Sequence, residues 1–292
     1  GQQLAVTMIR ADSKLNDTDS EQDIWAQPIP PYALANHSVS VEIRDEASRF
    51  NLNNLYWNGS VDTAALEVFQ RLLTQLNLEP DIAIAVLDWQ DTDSEVYLDG
   101  GDESAVYSQQ RNSSVDGALP NQPFVSVDQL QEVRGVSAEV LATLRPYLTA
   151  VPYYLPININ TASPALLAAL IDGATSQQMQ GIVDTRSKQA LTSIDELWQL
   201  PILSGLDEKQ RAALTPLLAV DSQAFMALIT ASDNATVGQA RQRFATVLIG
   251  KNAANDSQAT NDTSGSSSDV ISGKPKEVKV VTQRLWAFRP SF

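Results

Sequence analysis

The sequence predicts an α+β protein in which a large, all-helical domain is inserted into a small antiparallel β-sheet. One segment with strand-like alternation precedes a long region of helical periodicity, and three strand-like segments follow it. The helical region also contains an internal repeat. One strand before the block and three after it form a single sheet only if the block is an insertion. Insertions are found at strand connections, where the two chain ends lie close together.

The composition is that of a globular protein, with 43% hydrophobic and 19% charged residues in a chain of 292 residues. The 35 acidic residues outnumber the 20 basic ones and give a net charge of -15. Because phosphate contacts need clustered lysine and arginine, this balance disfavours nucleic-acid binding. The absence of cysteine excludes disulfides, thiolate metal sites and a cysteine nucleophile. No apolar run reaches the length of a membrane-spanning helix.

The first predicted domain, residues 1–55, holds a helix and the first strand. Leu4, Met8, Ile9 and Leu15 are spaced as one stripe of an amphipathic helix, but no capping residue precedes them. Either the helix frays at its start, or its earlier part is missing from this chain. Prolines then favour extended backbone, and residues 38–44 alternate as a half-buried strand.

The second predicted domain, residues 56–220, is the inserted α-helical domain. A helix begins near Asp62, where leucines and a phenylalanine recur at steps of three and four, and another runs from about residue 81 to residue 89. Shorter helices follow the capping residues Ser126, Ser137 and Thr161.

The third predicted domain, residues 221–292, supplies the remaining strands. Residues 225–230, 241–249 and 278–287 are rich in β-branched and aromatic side chains. Residues 252–276 are polar and contain almost no large apolar side chain. Such a segment cannot bury enough surface to offset its ordering entropy, so we predict a mobile hairpin loop there.

The helical block contains two copies of one pattern, in residues 126–133 and 193–200. Each is followed by a turn and a second helix that ends at a proline, which indicates duplicated helical hairpins. Residues 157–162 also resemble the entry to helix-hairpin-helix modules, whose glycines let backbone N–H groups reach a phosphate. Here Gly135 is followed by Val136, so one of the two usual glycines is missing. A scaffold role is therefore favoured, and a nucleic-acid-binding role is kept as an alternative.

Residues 81–103 carry eight acidic side chains and neither lysine nor arginine. Crowded carboxylates repel unless they spread into solvent or are neutralised, and oxygen ligands in a flexible loop that contains Gly100 and Gly101 suit Ca²⁺. The spacing is not that of an EF-hand, because Val96 stands where the glycine belongs. A solvated acidic loop and a calcium-dependent carbohydrate-active site with Trp89 and Tyr97 nearby remain the alternatives.

Other catalytic chemistry has little support. His37, the only histidine, precedes a strand, and no nucleophile elbow, phosphate loop or dinucleotide fingerprint occurs. We therefore predict that the chain is not an enzyme.

Several strings in a fixed order identify a resemblance that covers nearly the whole chain. They lie at Glu21 with residues 25–26, and at residues 43–46, 49–55, 88–93, 100–103 with Tyr107, 124–135 and 158–170. In this order they resemble the K-class minor pseudopilins of bacterial type II secretion systems. The resemblance implies a pilin-like N-terminal helix with a small antiparallel sheet and an inserted α-domain.

The resemblance also implies a function. Proteins of this class are structural subunits that form and cap the tip of the pseudopilus with the I-class and J-class minor pseudopilins. They also meet other pseudopilins and the inner-membrane platform. The implied location is the inner membrane, crossed once by the N-terminal helix, with the remainder in the periplasm. We expect that the membrane-crossing part of that helix is missing from this chain.

The family binds calcium, and its acidic segment matches residues 88–93 of this chain. The resemblance therefore implies one or two Ca²⁺ ions. The candidate ligands are Asp91, Asp93, Asp99, Asp102 and Glu103. Asp88 or Glu95 could replace any of them.

Overall fold

The computed structural model describes residues 1–103, 106, 119–233, 241–252 and 276–292. It divides the chain into two compact units. The sheet unit comprises Gly1–Asp45 and Asp221–Phe292, and the insert unit comprises Glu46–Val220. The predicted loop at residues 252–276 lies, apart from its two end residues, outside the described residues, as does Tyr107.

The helices and strands are numbered in chain order. The α-helices of the described part are α1 (Gln2–Asp12), α2 (Thr63–Gln75), α3 (Ile82–Asp88), α4 (Ala138–Leu144), α5 (Pro164–Ala169), α6 (Ser176–Arg186), α7 (Ile194–Trp198) and α8 (Glu208–Leu214). The strands are β1 (Tyr32–Leu34), β2 (His37–Asp45), β3 (Phe50–Asn51), β4 (Tyr56–Trp57), β5 (Ser60–Val61), β6 (Leu148–Thr149), β7 (Ile157–Asn158), β8 (Leu218–Ala219), β9 (Ala224–Asp233), β10 (Gln242–Asn252) and β11 (Glu277–Trp286). Short 3-10 helices lie at Ile24–Ala26, Glu46–Ser48, Leu52–Asn54, Val127–Glu132, Arg145–Tyr147, Pro201–Leu203 and Thr215–Leu217.

The sheet unit contains one five-stranded antiparallel sheet with the order β1-β2-β9-β10-β11. Strands β2 and β9 are neighbours, and Asp45 at the end of β2 lies opposite Phe225 near the start of β9. The chain therefore leaves and re-enters the sheet at one end of a strand pair, where an insertion disturbs the sheet least.

Helix α1 supplies the other half of the core of the sheet unit. Its buried residues Ala5, Val6 and Ile9 belong to the same core as Val41 of β2. Trp25 adds an edge-on ring contact to Phe225, with ring centroids 5.0 Å apart. A helix stripe that packs on the apolar face of a sheet is a stable two-layer arrangement.

The insert unit has its own core, built largely on α2. Asp62 caps this helix by accepting a hydrogen bond from the Ala65 N–H at 3.0 Å. The apolar face of α2 is fully buried, and the ring of Phe69 stacks on that of Phe50 with centroids 5.2 Å apart. The predicted helical periodicity therefore marks a packed face.

Three buried asparagines, in and just before the 3-10 helix Leu52–Asn54, form hydrogen bonds to distant backbone segments of the insert. Asn51 and Asn54 exchange hydrogen bonds with the main chain of residues 151–155. Asn53 donates to the Phe124 carbonyl at 2.9 Å and accepts from the Phe124 N–H at 2.8 Å. Buried backbone groups outside regular structure need such partners, and a primary amide offers both a donor and an acceptor.

Several details differ from the sequence-based expectations. Two strands precede the insert instead of one. The additional strand, β1, was missed because its three residues are too few to show alternation; it joins β2 through a turn in which Ala35 has φ +51°. The insert begins at residue 46, not 56, because residues 46–55 belong to its core.

Two helix ends also differ from the prediction. Ser163 caps α5 in place of Thr161. Leu15 lies beyond the end of α1 and is 71% exposed. In the part of the chain that the structure describes, every helix is too short or too polar to cross a bilayer.

Candidate metal centre

The acidic segment of the insert begins where α3 ends. Asp88 is the last residue of α3, and Asp91 follows within one turn. The chain then doubles back, as Val96 donates to the Gly101 carbonyl at 3.0 Å and Gly100 donates to the Val96 carbonyl at 2.9 Å. Gly100 and Gly101 have φ values of +65° and +101°, which residues with a side chain rarely adopt. This turn returns the chain to the end of α3 at Glu103.

Three carboxylates meet at this point. One oxygen from each of Asp88, Asp91 and Glu103 lies within 4.8 Å of the other two, and all three side chains are buried. Asp88 Oδ1 accepts a hydrogen bond from the Tyr97 N–H at 3.1 Å. Among the described residues, no group donates a hydrogen bond to Asp91 Oδ1 or Glu103 Oε1. Two buried, unsatisfied carboxylate oxygens therefore face a third carboxylate.

The electrostatics of the cluster favour either a proton or a cation. Burial, and then the charges of Asp93 and Asp88, raises the pKa of Asp91 to about 7. Burial, and then the charges of Asp91, Asp88, Asp93 and Asp102, raises the pKa of Glu103 to about 7. An isolated buried carboxylate is costly, and it becomes favourable when a positive charge or a metal ion compensates it.

The other predicted ligands lie around this cluster. Asp93 is exposed, and its Oδ1 accepts a hydrogen bond from the Glu95 N–H at 2.9 Å. Asp99 and Asp102 are also exposed, and Asp102 forms an isolated β-bridge with Glu95. The structure thus gathers Asp91 and Glu103 of the five candidates and adds Asp88, which the sequence offers only as a substitute.

Buried contacts anchor the start of the acidic segment in the core of the insert. The indole ring of Trp89 stacks on the ring of Phe124, with centroids 5.7 Å apart. Gln90 donates to the carbonyls of Leu52 and Val86 at 3.1 and 3.2 Å. Its own Oε1 is buried and, among the described residues, accepts no hydrogen bond. In the sequence, Gln90 stands only as one residue of the string at 88–93, and nothing there indicates its buried contacts.

The oxygen donors suit a hard divalent cation. Calcium binds oxygen ligands at 2.3–2.6 Å in flexible geometry. Two carboxylate oxygens that lie up to 4.8 Å apart, as those of Asp88, Asp91 and Glu103 do, can therefore both bind one calcium ion. Magnesium needs shorter, near-octahedral contacts and retains several waters. Three buried carboxylates, with oxygens that accept no hydrogen bond from the described residues, are donors of the kind that Ca²⁺ takes.

Comparison with known proteins gives consistent results. Two sequence profiles, both described as type II secretion system (T2SS) protein K, match residues 48–153 and 157–221. Together these ranges span more than half of the chain.

Curated relatives with the same description align over long regions. The type II secretion system protein K of Klebsiella pneumoniae is 30% identical over 239 residues, which cover 77% of this chain and 71% of that protein. The Pseudomonas aeruginosa protein is 28% identical over 59% of this chain and 54% of its own length. The Aeromonas hydrophila protein is 33% identical over 50% of this chain and 48% of its own length. The alignments with the last two thus span about half of those proteins.

One solved structure has a similar fold. It is a chain in the crystal structure of the GspK-GspI-GspJ complex from the enterotoxigenic Escherichia coli type 2 secretion system. The TM-score is 0.73, and the match covers 98% of this chain and 92% of that chain at 22% sequence identity.

Proposed function

Since the chain belongs to the type II secretion system protein K family, we propose that it is a non-enzymatic, structural subunit of the pseudopilus. In this proposal it assembles with I-class and J-class minor pseudopilins to form and cap the tip. The observation that carries the proposal is the match of family profiles to residues 48–153 and 157–221, which lie almost entirely in the insert unit.

The arrangement of the chain supports a capping role. The insert unit accounts for more than half of the chain and interrupts a sheet between two adjacent strands. In a filament of smaller pilin-like subunits, we infer that such an insert occupies space that a further subunit needs. The partners are inferred from the GspK-GspI-GspJ complex that contains the similar chain. We also propose that this part of the protein lies in the periplasm and that the N-terminal helix holds the protein in the inner membrane, which it crosses once.

The insert supports a scaffold role for its two helical hairpins. Asn160 donates to the Leu191 carbonyl at 2.9 Å and accepts from the Leu191 N–H at 2.8 Å, as Asn53 does with Phe124. In both cases the contacted residue lies two positions before a capping serine, Ser126 or Ser193. We infer that the two halves of the insert are copies of one helix-hairpin-helix-like motif, whose buried contacts organise the insert.

A secretion assay tests the structural role. In a bacterium that lacks its own K-class protein, the full-length protein that carries this chain is expected to restore export of a type II substrate. The purified chain is expected to show neither a salt-dependent shift of DNA nor turnover of polysaccharide. If the purified chain binds DNA and the full-length protein does not restore export, the proposal is contradicted and the nucleic-acid alternative is favoured.

We further propose that Asp88, Asp91 and Glu103 hold a calcium ion that stabilises the insert. Asp93, Asp99 and Asp102 lie in the surrounding loop and complete the candidate set. The support is the burial of three carboxylates with two oxygens that lack donors within the described part of the chain. An ion would join the end of α3 to the return of the loop and would hold these carboxylates in their charged form.

Calorimetry with Ca²⁺ tests this site. The Asp91→Asn and Glu103→Gln variants are expected to lose calcium binding in the insert and the increase in melting temperature that calcium gives. Asp195→Asn, an exposed residue of α7, is the control and is expected to behave as the unmodified chain. If Asp91→Asn binds calcium with unchanged affinity, the proposed site is wrong, while the structural role stands.

A further inference from the structure

A second group of carboxylates lies in the sheet unit, apart from the acidic segment of the insert. Asp12 is the last residue of α1, and Asp19 and Asp23 follow in the loop that leads to β1. One oxygen from each of the three lies within 4.8 Å of the other two. Asp12 and Asp19 are each 1% exposed, and Asp23 is half-buried.

The carboxylate of Asp12 has an oxygen that its surroundings do not satisfy. Its Oδ2 is buried and accepts no hydrogen bond from the described residues that meets the usual geometry, although the backbone N–H of Ile24 lies close enough to the carboxylate to lower its pKa slightly. The amide of Asn16 donates to the other oxygen, Oδ1, over 3.4 Å. Burial, and then the charges of Asp23 and Asp19, raises the pKa of Asp12 to about 6. A buried oxygen of this kind is costly unless a proton or a cation binds it.

Donors also contact the other two carboxylates of the group. Asp19 Oδ2 accepts from the Ser222 N–H at 2.7 Å and pairs with the ammonium group of Lys251, which is also buried. Asp23 accepts from the Ser20 N–H at 2.6 Å and from the Asn16 amide at 3.1 Å. These bonds hold the three carboxylates in place and leave Oδ2 of Asp12 for another partner.

The charges do not balance without that partner. Three ionised carboxylates face one ammonium group, so two negative charges remain in a largely buried space. A divalent cation supplies this charge. The spacing fits calcium, whose bonds to oxygen of 2.3–2.6 Å allow two ligands to stand up to about 5 Å apart.

We propose that Asp12, Asp19 and Asp23 form a second divalent-cation site, of the calcium type, that joins the end of α1 to the following loop. Through Asp19, the site is linked to Lys251 of β10 and to Ser222, which precedes β9. The ion would thus fasten the helix to the sheet that it covers. This proposal does not depend on the calcium site of the insert, nor on the secretion function.

Calcium equivalents, measured by calorimetry on the chain as it stands, test the proposal. We expect the unmodified chain to bind one more equivalent than Asp12→Asn or Asp23→Asn. Because Asp23 is only half-buried, we expect Asp23→Asn to fold, and it tests the site if Asp12→Asn does not fold. The matched control is Asp17→Asn, an exposed residue of the same loop, which is expected to keep every equivalent.

Terbium luminescence separates the two sites. Trp25 lies two residues from Asp23, and Trp89 lies two residues from Asp91. We expect each tryptophan to sensitise an ion at its neighbouring site, and Trp25→Phe and Trp89→Phe variants assign the emission to one tryptophan or the other. We expect Asp12→Asn to lose the Trp25-sensitised signal and to keep that of Trp89, with the reverse for Asp91→Asn. If Asp12→Asn and Asp23→Asn both keep all calcium equivalents and the Trp25 signal, the second site is refuted and Asp12 is neutralised by a proton. If Asp91→Asn alone loses binding, only the site of the insert exists.

Discussion

Asn53 holds the main chain of Phe124 with a reciprocal pair of hydrogen bonds, of 2.9 Å from its amide group and 2.8 Å to its carbonyl oxygen. The same amide also donates to the Val151 carbonyl at 2.9 Å. One buried side chain therefore joins three segments that are far apart in the sequence. It also fixes Phe124, whose ring stacks on Trp89 beside the acidic segment.

Replacement of Asn53 by alanine is expected to destabilise the insert. The change leaves the N–H and the carbonyl of Phe124 buried without partners, and each unsatisfied group costs about 1–3 kcal/mol. We expect the free energy of unfolding to fall by about 2–6 kcal/mol, measured by urea denaturation of the whole chain. Gln131→Ala, an exposed amide in the 3-10 helix Val127–Glu132, is the control. Equal stability of both variants would show that the asparagine bonds contribute nothing.

Replacement of Lys251 by methionine is expected to destabilise the sheet unit. Lys251 and Asp19 form an ion pair in which both side chains are 1% exposed. Removal of the lysine leaves a buried carboxylate beside Asp12 without its counter-charge, and such a loss costs about 3–5 kcal/mol. Urea denaturation in EGTA measures this, because a bound cation would mask part of the effect.

The control for Lys251 is an ion pair at the surface. Arg289 pairs with Glu42 at 2.9 Å, and the two side chains are 53% and 45% exposed. Solvent screens such a pair, so Arg289→Met is expected to change the free energy of unfolding by less than about 1 kcal/mol. A loss as large as that of Lys251→Met would mean that burial is not the cause.

Without calcium, stability is expected to fall as the pH rises. The folded protein raises the pKa of Asp91 and of Glu103 to about 7, from values of 3.8 and 4.5 for ordinary groups. Between these limits the folded state binds more protons than the unfolded state, so the free energy of unfolding decreases as pH rises towards 7 and then levels off. Asp12, whose pKa is raised to about 6, adds a smaller effect of the same sign.

Urea denaturation in EGTA from about pH 5 to about pH 8 measures this slope. Calcium is expected to remove most of it, since bound metal keeps the carboxylates ionised. The double variant Asp91→Asn, Glu103→Gln is expected to show a reduced slope in EGTA. A slope that is equally steep in the double variant would place its origin elsewhere in the chain.

The sequence predicted the elements whose side chains repeat with a period. The stripe on α2 and the alternation of β2 correspond to buried faces, because periodic burial leaves a periodic pattern. The three residues of β1 and the two-residue strands β3 and β6 left no such pattern. The boundary of the insert after Asp45 was also missed. The asparagines that follow it are typical of loops, and only their hydrogen bonds to residues about 70 to 100 positions away show that they belong to the insert.

The cluster of buried carboxylates lies in the segment that the sequence singled out, but its members differ from the predicted set. The density of carboxylates between residues 81 and 103 and the two adjacent glycines indicated a turned acidic loop. Which carboxylates point inward depends on the turn at Val96–Gly101 and on where α3 ends, and neither is visible in the spacing. Residues 12–23 also carry five acidic side chains, but the spacing does not show which of them are buried, and only the fold brings Asp12, Asp19 and Asp23 together.

Assembly with the I-class and J-class minor pseudopilins tests most directly whether this chain is a tip subunit. The chain is mixed with the periplasmic parts of these proteins from the same bacterium at micromolar concentration. Light scattering after size-exclusion chromatography then measures the mass. We expect one species with a mass that equals the sum of one copy of each protein. Three separate species, from partners that are shown to be folded, would contradict this role.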